Sequence, residues 1–229
     1  MKPPIYRRMY GYDRHLLPNA FLASLDNNVS NIDEARLKSG LTIGYPGWGL
    51  IYYLLLSHLD RAREEIIIET GTNWGSSTIV LAQALIDAGC AGKVVTFELE
   101  DENVAKANSH FAAAGVANRI ELIAGDSRKN MPDYLARNCA KGSIRFAFLD
   151  ASHLEGDLLA EFDSVMPYLA DDALVVMDNT YRIAEPHEDQ RVNGALRKFP
   201  EKYGGNLINL EHVSWFTPGV AIWQRRPNL

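Results

Sequence analysis

The sequence predicts an α/β fold: a doubly wound, mostly parallel sheet of seven strands that ends in an antiparallel hairpin. Three observations carry this expectation. Five strand-like apolar runs alternate with helical segments. The first of these runs ends in Glu69, followed by a Gly71-x-x-x-Gly75 turn that opens straight into a helix. Near the C-terminus the alternation gives way to two strand-like runs joined by a Thr217-Pro218-Gly219 turn, the pattern of a β-hairpin.

The elements follow in order. Residues 1–46 are polar, dotted with aromatics (Tyr6, Tyr10, Tyr12, Phe21) and weakly periodic, which reads as an extension or lid on a main domain of residues 47–229. From Gly47 a helix is expected, with Ile51, Leu54, Leu55, His58 and Leu59 on one face. Strands are predicted at Glu65–Glu69, Val94–Glu98, Ile120–Ala124, Ile144–Asp150 and Ala173–Asp178, and helices near Ser76–Ala88, Glu102–Ala114, Ser127–Asn138 and Leu154–Leu169. The last helix carries an apolar stripe (Leu154, Leu158, Phe162, Val165, Met166, Leu169) behind a Ser152-x-x-Glu155 capping-box pattern. A helix near Gln190–Lys202 then leads to hairpin strands at Leu207–Val213 and Val220–Gln224.

Bulk properties narrow the function classes. The chain has 229 residues, 47% hydrophobic and 23% charged, enough for one α/β domain with a sizeable core. A net charge of −6 argues against gripping nucleic acid by its phosphates. Two cysteines, Cys90 and Cys139, lack metal-ligand spacing and read as reduced thiols. No apolar run approaches the ~18 residues of a membrane span, and no apolar segment follows Met1–Arg8 as in a secretory signal, so a cytoplasmic protein is expected.

The strand ends carry the chemistry. Glycines at 71 and 75 let backbone approach a ligand closely, and the helix start beyond them offers unpaired N–H groups to negative charge. Glu98 closes the second strand, where a carboxylate can accept hydrogen bonds from the two hydroxyls of a ribose. Gly125-Asp126-Ser127 follows the third strand. Each has a plainer role open to it: a tight turn for the glycines, helix capping for Glu98 and Asp126.

With these residues in this order, the chain resembles the class I S-adenosylmethionine-dependent methyltransferases, whose fold is Rossmann-like, from about Gly47 to the C-terminus. The resemblance implies that Glu69, Gly71 and Gly75 wrap the methionine part of the cofactor. It puts the Ser77 hydroxyl on the cofactor carboxylate, Glu98 on the ribose, and Asp126 with Ser127 at the adenine. Asp150 after the fourth strand and Asp178-Asn179 after the fifth are similar to the metal-binding residues of the catechol and macrolide-sugar O-methyltransferases, which implies Mg²⁺ or Mn²⁺ held by hard oxygen donors. His153 stands where those enzymes carry a catalytic base, and an imidazole is matched to taking a proton near neutrality. The bland reading leaves Asp150 or Ser152 as a helix cap and His153 as an exposed first-turn residue.

The expected activity is methyl transfer to a small-molecule hydroxyl (a sugar, phenol or secondary metabolite), with Tyr45, Trp48, Tyr181 and Arg182 as candidate substrate walls. Three alternatives stay open: a metal-independent N- or O-methyltransferase, a nicotinamide-dependent oxidoreductase, and a non-catalytic cofactor-binding protein. The second lacks its Gly-x-Gly-x-x-Gly turn here. Neither nucleic acid nor membrane is an expected partner, and a homodimer is one of the oligomeric states left open. Among the other histidines, His58 reads as a satisfied core residue, His110 as part of a surface helix and His187 as part of a polar loop; His15 and His212 carry no reading.

Overall fold

A computed structural model of the protein describes residues 19–25, 47–180, 191–210 and 219–226. Its helices are α1 (Ala20–Leu25), α2 (Gly47–His58), α3 (Ser76–Ala88), α4 (Asp101–Ala113), α5 (Ser127–Asn138), α6 (Glu155–Val165) and α7 (Val192–Lys202). Its strands are β1 (Glu64–Thr70), β2 (Ala91–Glu98), β3 (Ile120–Ala124), β4 (Ile144–Leu149), β5 (Leu169–Asp178), β6 (Asn206–Leu210) and β7 (Val220–Gln224).

The seven strands form one sheet in the order β3-β2-β1-β4-β5-β7-β6. Strands β1 to β5 pair in parallel, and β7 is antiparallel to both β5 and β6. Both faces are covered because the strands are apolar on both sides. Along β1, Ile67 joins the layer built with Ile51, Leu55, Ile79, Leu85 and Phe111, whereas Ile68 faces Met131, Leu135, Phe162 and Phe199. Strand order reverses at β1, which has β2 on one side and β4 on the other. Adjacent crossovers leave in opposite directions there, so a crevice opens at the strands' carboxyl ends.

Two expectations need correction. The helix predicted to run to Leu169 stops at Val165 and tightens into a 3₁₀ turn, Met166–Tyr168. Pro167 lies in that turn and has no N–H to continue the α-helical ladder. Strand β5 therefore starts at Leu169, with a register shift against β4 where the exposed Asp171 and Asp172 lie. The capping box does not form: Leu154 occupies the N-cap, while the Ser152 hydroxyl accepts from the Leu154 amide and donates to Asp157. Asp157, two residues past Glu155, offers Ser152 a charged acceptor within the same first turn.

The hairpin's second strand falls as predicted, and the first spans Asn206–Leu210; the rest of that predicted run lies outside the described residues. Trp223 is fully buried with its indole N–H satisfied by the Gly204 carbonyl at 2.8 Å. Of the N-terminal extension, residues 19–25 are described. Asn19 is buried and donates to Gln83 on α3 and to the Ala114 carbonyl after α4, which docks α1 against those helices.

Candidate active site

The first-strand turn is held by backbone bonds. The Gly71 and Thr72 amides both donate to the Phe97 carbonyl of β2, at 3.0 and 3.2 Å, and the Gly75 amide donates to Thr72 at 2.8 Å. Gly71 sits at φ +82, and a Cβ there would lie 2.1 Å from the Asp150 carbonyl oxygen. The cofactor-type turn and the fourth-strand loop are thus in direct backbone contact. Gly75 is the left-handed N-cap of α3 and abuts the Phe111 ring.

Glu69 is fully buried. Its Oε2 accepts from Thr78 Oγ1 at 2.5 Å and its Oε1 has no hydrogen-bond partner. Burial pushes its pKa up to about 7, opposed by the Ser77, Thr78 and Thr96 hydroxyls. Ser77, the predicted hydroxyl donor, is buried in the first turn of α3. Ser76, one residue earlier at the first position of α3, is buried with its Oγ unpartnered.

Glu98 is buried and turned into the β1 turn. Oε2 accepts from the Asn73 amide at 2.6 Å; Oε1 accepts from the Glu100 amide at 3.0 Å and from Asn103 Nδ2 at 3.2 Å. Asn103 in turn accepts from the Trp74 indole at 3.1 Å, so the side chain of the turn itself steadies the carboxylate. Half-buried His110 meets the Trp74 carbonyl at 2.8 Å and packs on Phe21; it lies on a largely exposed helix, as expected, with its ring turned to the β1 turn.

After β3, Asp126 caps α5 by accepting from the Arg128 amide, and its carboxylate also pairs with the Arg128 guanidinium, which holds its pKa below the usual range. Of the two roles open to Asp126, capping is the one its side chain performs. Ser127 Oγ donates to Glu161 Oε1 at 2.5 Å.

The tips of β4 and β5 bring Asp150, His153, Asp178 and Asn179 together. His153 Nε2 lies 2.9 Å from Asp150 Oδ1, and Asn179 Nδ2 lies 2.6 Å from His153 Nδ1. A ring protonated on Nε2 donates to Asp150 and accepts from Asn179, satisfying both nitrogens. Asp178 Oδ1 is buried without a partner. Burial and the facing Asp150 carboxylate hold Asp178 well above the ordinary carboxylate range, and burial likewise raises Asp150. Among the described residues, three non-glycine residues have positive φ: Asn73 in the turn after β1, His153 after β4 and Asn179 after β5. Such backbone costs about 1–3 kcal/mol per residue and persists where surrounding structure imposes it, commonly at functional sites.

Comparisons with known proteins bear on the fold that carries these residues. A family described as "Methyltransferase domain" matches residues 68–180, the stretch from the β1 tip to the end of β5. Catechol O-methyltransferase of Mycobacterium tuberculosis is 30% identical over 131 residues, 57% of this chain and 54% of that one. The alignment thus spans about half of that relative's length. A second protein of that organism, named "Probable O-methyltransferase Rv1703c", is 25% identical over 208 residues, 89% of this chain and 79% of the other. In fold, the chain is similar to the O-methyltransferase TomG from Streptomyces achromogenes, solved in complex with S-adenosylmethionine, with a TM-score of 0.71 and 21% identity over 99% of this chain and 100% of that one. Residues 68–180 thus form a methyltransferase domain.

In this methyltransferase, Tyr45, Tyr181, Arg182, His15, His187 and His212 lie outside the described residues, and Trp48 falls in the first turn of α2. His58, expected to be a satisfied core residue, has a buried Nε2 without a partner, and burial lowers its pKa. Sequence reasoning missed Ser76, Asn103 and above all Glu161. Glu161 is 2% exposed on α6 and accepts from Thr70 Oγ1 and Ser127 Oγ. A charged residue on an amphipathic helix ordinarily belongs to the solvated face, so nothing in the local pattern marked it as buried.

Burial pushes Glu161, like Glu69, up to about 7. An unfolded glutamate ionises near pH 4.3. Each folded carboxyl therefore keeps its proton through a window in which the unfolded chain has lost it. The stability it contributes is complete below about pH 4.3 and is lost as pH rises to about 7, at up to about 1.4 kcal/mol per pH unit. His58 and His110, both lowered, act in the opposite sense below about pH 6.5. The clean measurement is the difference between wild type and Glu161→Gln in denaturant unfolding. The variant is expected to gain on wild type steadily from pH 5 to 7, and a pH-independent difference would refute the assignment.

Proposed function

We propose that this methyltransferase transfers a methyl group to the hydroxyl of a small molecule, with a divalent cation at the tips of β4 and β5. The observation that carries the reading is the meeting of Asp150, His153, Asp178 and Asn179 beside the Gly71 turn, with left-handed backbone at both His153 and Asn179. The two matched relatives named above as O-methyltransferases support an oxygen acceptor.

The cleft's own residues suit the cofactor. Ser76 offers an unengaged buried hydroxyl at the positive end of α3, the place for the methionine carboxylate, and Glu69 Oε1 is a free acceptor beside it. Glu98 is held for a ribose by three donors. Asp126 and Ser127 stand at the adenine end, although Arg128 occupies much of the Asp126 carboxylate.

A hard dication fits the second half of the site. Among the described residues no three His, Cys, Asp or Glu side chains form a metal-ligating group. The donors are instead two carboxylates and an amide: Asp150, Asp178 and Asn179. Their strongest feature is the orphaned Asp178 Oδ1 beside a second acid, an excess of buried negative charge that a cation would compensate. Bound there, Mg²⁺ or Mn²⁺ would lower the pKa of an acceptor hydroxyl. His153 takes and holds the hydroxyl proton. Asp150 fixes the ring through Nε2, and Asn179 must yield at Nδ1 for that nitrogen to serve as the base. Transfer itself is a displacement at the sulfonium methyl, for which the protein supplies mainly alignment.

The remaining assignments follow the same reading. Residues 1–46 are assigned as an extension to the main domain, most of them outside the described residues, and the two free cysteines suit a reducing cytoplasm. The test is S-adenosylhomocysteine release over a panel of phenols, sugars and other hydroxy compounds, with Mg²⁺ and with EDTA. We expect chelation to abolish turnover and His153→Ala to lower kcat by about 10²–10⁴-fold. Turnover indifferent to both would replace this mechanism with a metal-independent one.

A further inference from the structure

Glu161 is a carboxylate buried in the middle of an apolar layer, flanked on α6 by Leu158, Phe162 and Val165. Its two oxygens face hydroxyls and not a cation: Oε2 accepts from Thr70 Oγ1 at 3.0 Å and Oε1 from Ser127 Oγ at 2.5 Å. An acid in such a place costs more than an aliphatic side chain of similar volume would, so packing alone does not account for it.

Its partners account for it better. Thr70 is the last residue of β1, directly before Gly71, and its carbonyl accepts from the Asp150 amide at 3.1 Å. Thr70 Oγ1 also lies 3.3 Å from that amide. Ser127 opens α5 next to Asp126. Through two hydroxyls, one side chain on a helix behind the sheet reaches three turns: the one after β1, the one after β3, and the one after β4. No other described contact joins all three.

We infer that Glu161 is a positioning residue that holds the β1, β3 and β4 turns in mutual register, so that the methionine and adenine ends of the cofactor cleft stay at a set separation. It touches neither cofactor nor acceptor, and acts through Thr70 and Ser127. The inference rests on the cofactor reading of this cleft. A neutral glutamine keeps the arrangement: its carbonyl accepts from Thr70 while its amide donates to Ser127, whose hydroxyl can rotate to accept. Burial already pushes the Glu161 carboxyl up to about 7, so a neutral group is close to its own state. Leucine keeps the volume and ends both contacts.

The experiment is calorimetric titration of S-adenosylhomocysteine into wild type, Glu161→Gln, Glu161→Leu and Thr70→Val, each checked for a cooperative melt. Thr70→Val deletes one donor at constant volume, and it decides the question should the leucine variant fail to fold. We expect Kd to rise at least tenfold in Glu161→Leu, severalfold in Thr70→Val, and less than about threefold in Glu161→Gln. Leucine and valine variants that bind within twofold of wild type would overturn the inference, and so would an equal loss in leucine and glutamine variants, which marks disturbed packing. Wild type that fails to bind S-adenosylhomocysteine would instead remove the cofactor reading beneath it.

Discussion

Gly71→Ala is expected to abolish cofactor binding and to cost the fold about 3–5 kcal/mol, the sum of a left-handed backbone imposed on alanine and a contact that cannot be relieved by a side-chain rotation. The added Cβ would meet the Asp150 carbonyl oxygen at 2.1 Å, its carbon at 2.6 Å and the Ala151 Cα at 2.9 Å, all backbone. Relief requires the β1 and β4 turns to separate, which moves the methionine end of the cleft away from Asp150. Gly115→Ala is the control: it has φ +72 with nothing within 4 Å of the new Cβ, so it reports backbone strain alone. We expect it to cost about 1 kcal/mol and to leave S-adenosylhomocysteine affinity unchanged. Chemical denaturation and calorimetric titration of the two variants decide the matter, and equal effects at both positions would mean that the contact between turns is unimportant.

Asp178→Asn should separate stability from activity. In the ligand-free protein it removes one of two facing buried acids, so the variant is expected to melt above wild type at pH 8, where ionising both costs most. Activity should move the other way, with kcat down at least about 100-fold, because the site loses a hard anionic donor. Wild type should gain melting temperature as Mg²⁺ or Mn²⁺ is added, as any ligand selective for the native state requires, and the variant should not. A cation-induced shift of the same size in both proteins would exclude Asp178 as a ligand.

The order of elements was legible because alternating apolar runs and helical stripes are local patterns, and because β1 to β5 are apolar on both faces. Glu69, Gly71, Gly75 and Glu98 could be located for the same reason: each lies at the end of a strand, in the turn after it or at a helix cap, and position along the chain is enough to place it. Asp150, His153, Asp178 and Asn179 meet as expected because parallel neighbouring strands bring their carboxyl ends side by side.

Side-chain orientation was not legible. Asp126 turns to Arg128, two residues on, and the spacing of residues does not say which partner a carboxylate prefers. Ser76 and Ser77 are adjacent and both buried, and the spacing of residues does not say that the Ser76 hydroxyl is left without a partner. The α6 helix ended early at a proline that its apolar stripe disguised. Glu161 was invisible because its partners lie 91 and 34 residues away in sequence, on other elements.

The sequence by itself determined the doubly wound sheet, the glycine turn at its switch point and the set of acids gathered at the strand tips, since all three follow from periodicity and chain order. Only the tertiary structure decided which of those polar groups face one another, which are already satisfied and which are left buried without a partner. Hydrogen-bond geometry and desolvation depend on distances of a few ångströms between segments far apart in the chain, and no local pattern encodes them.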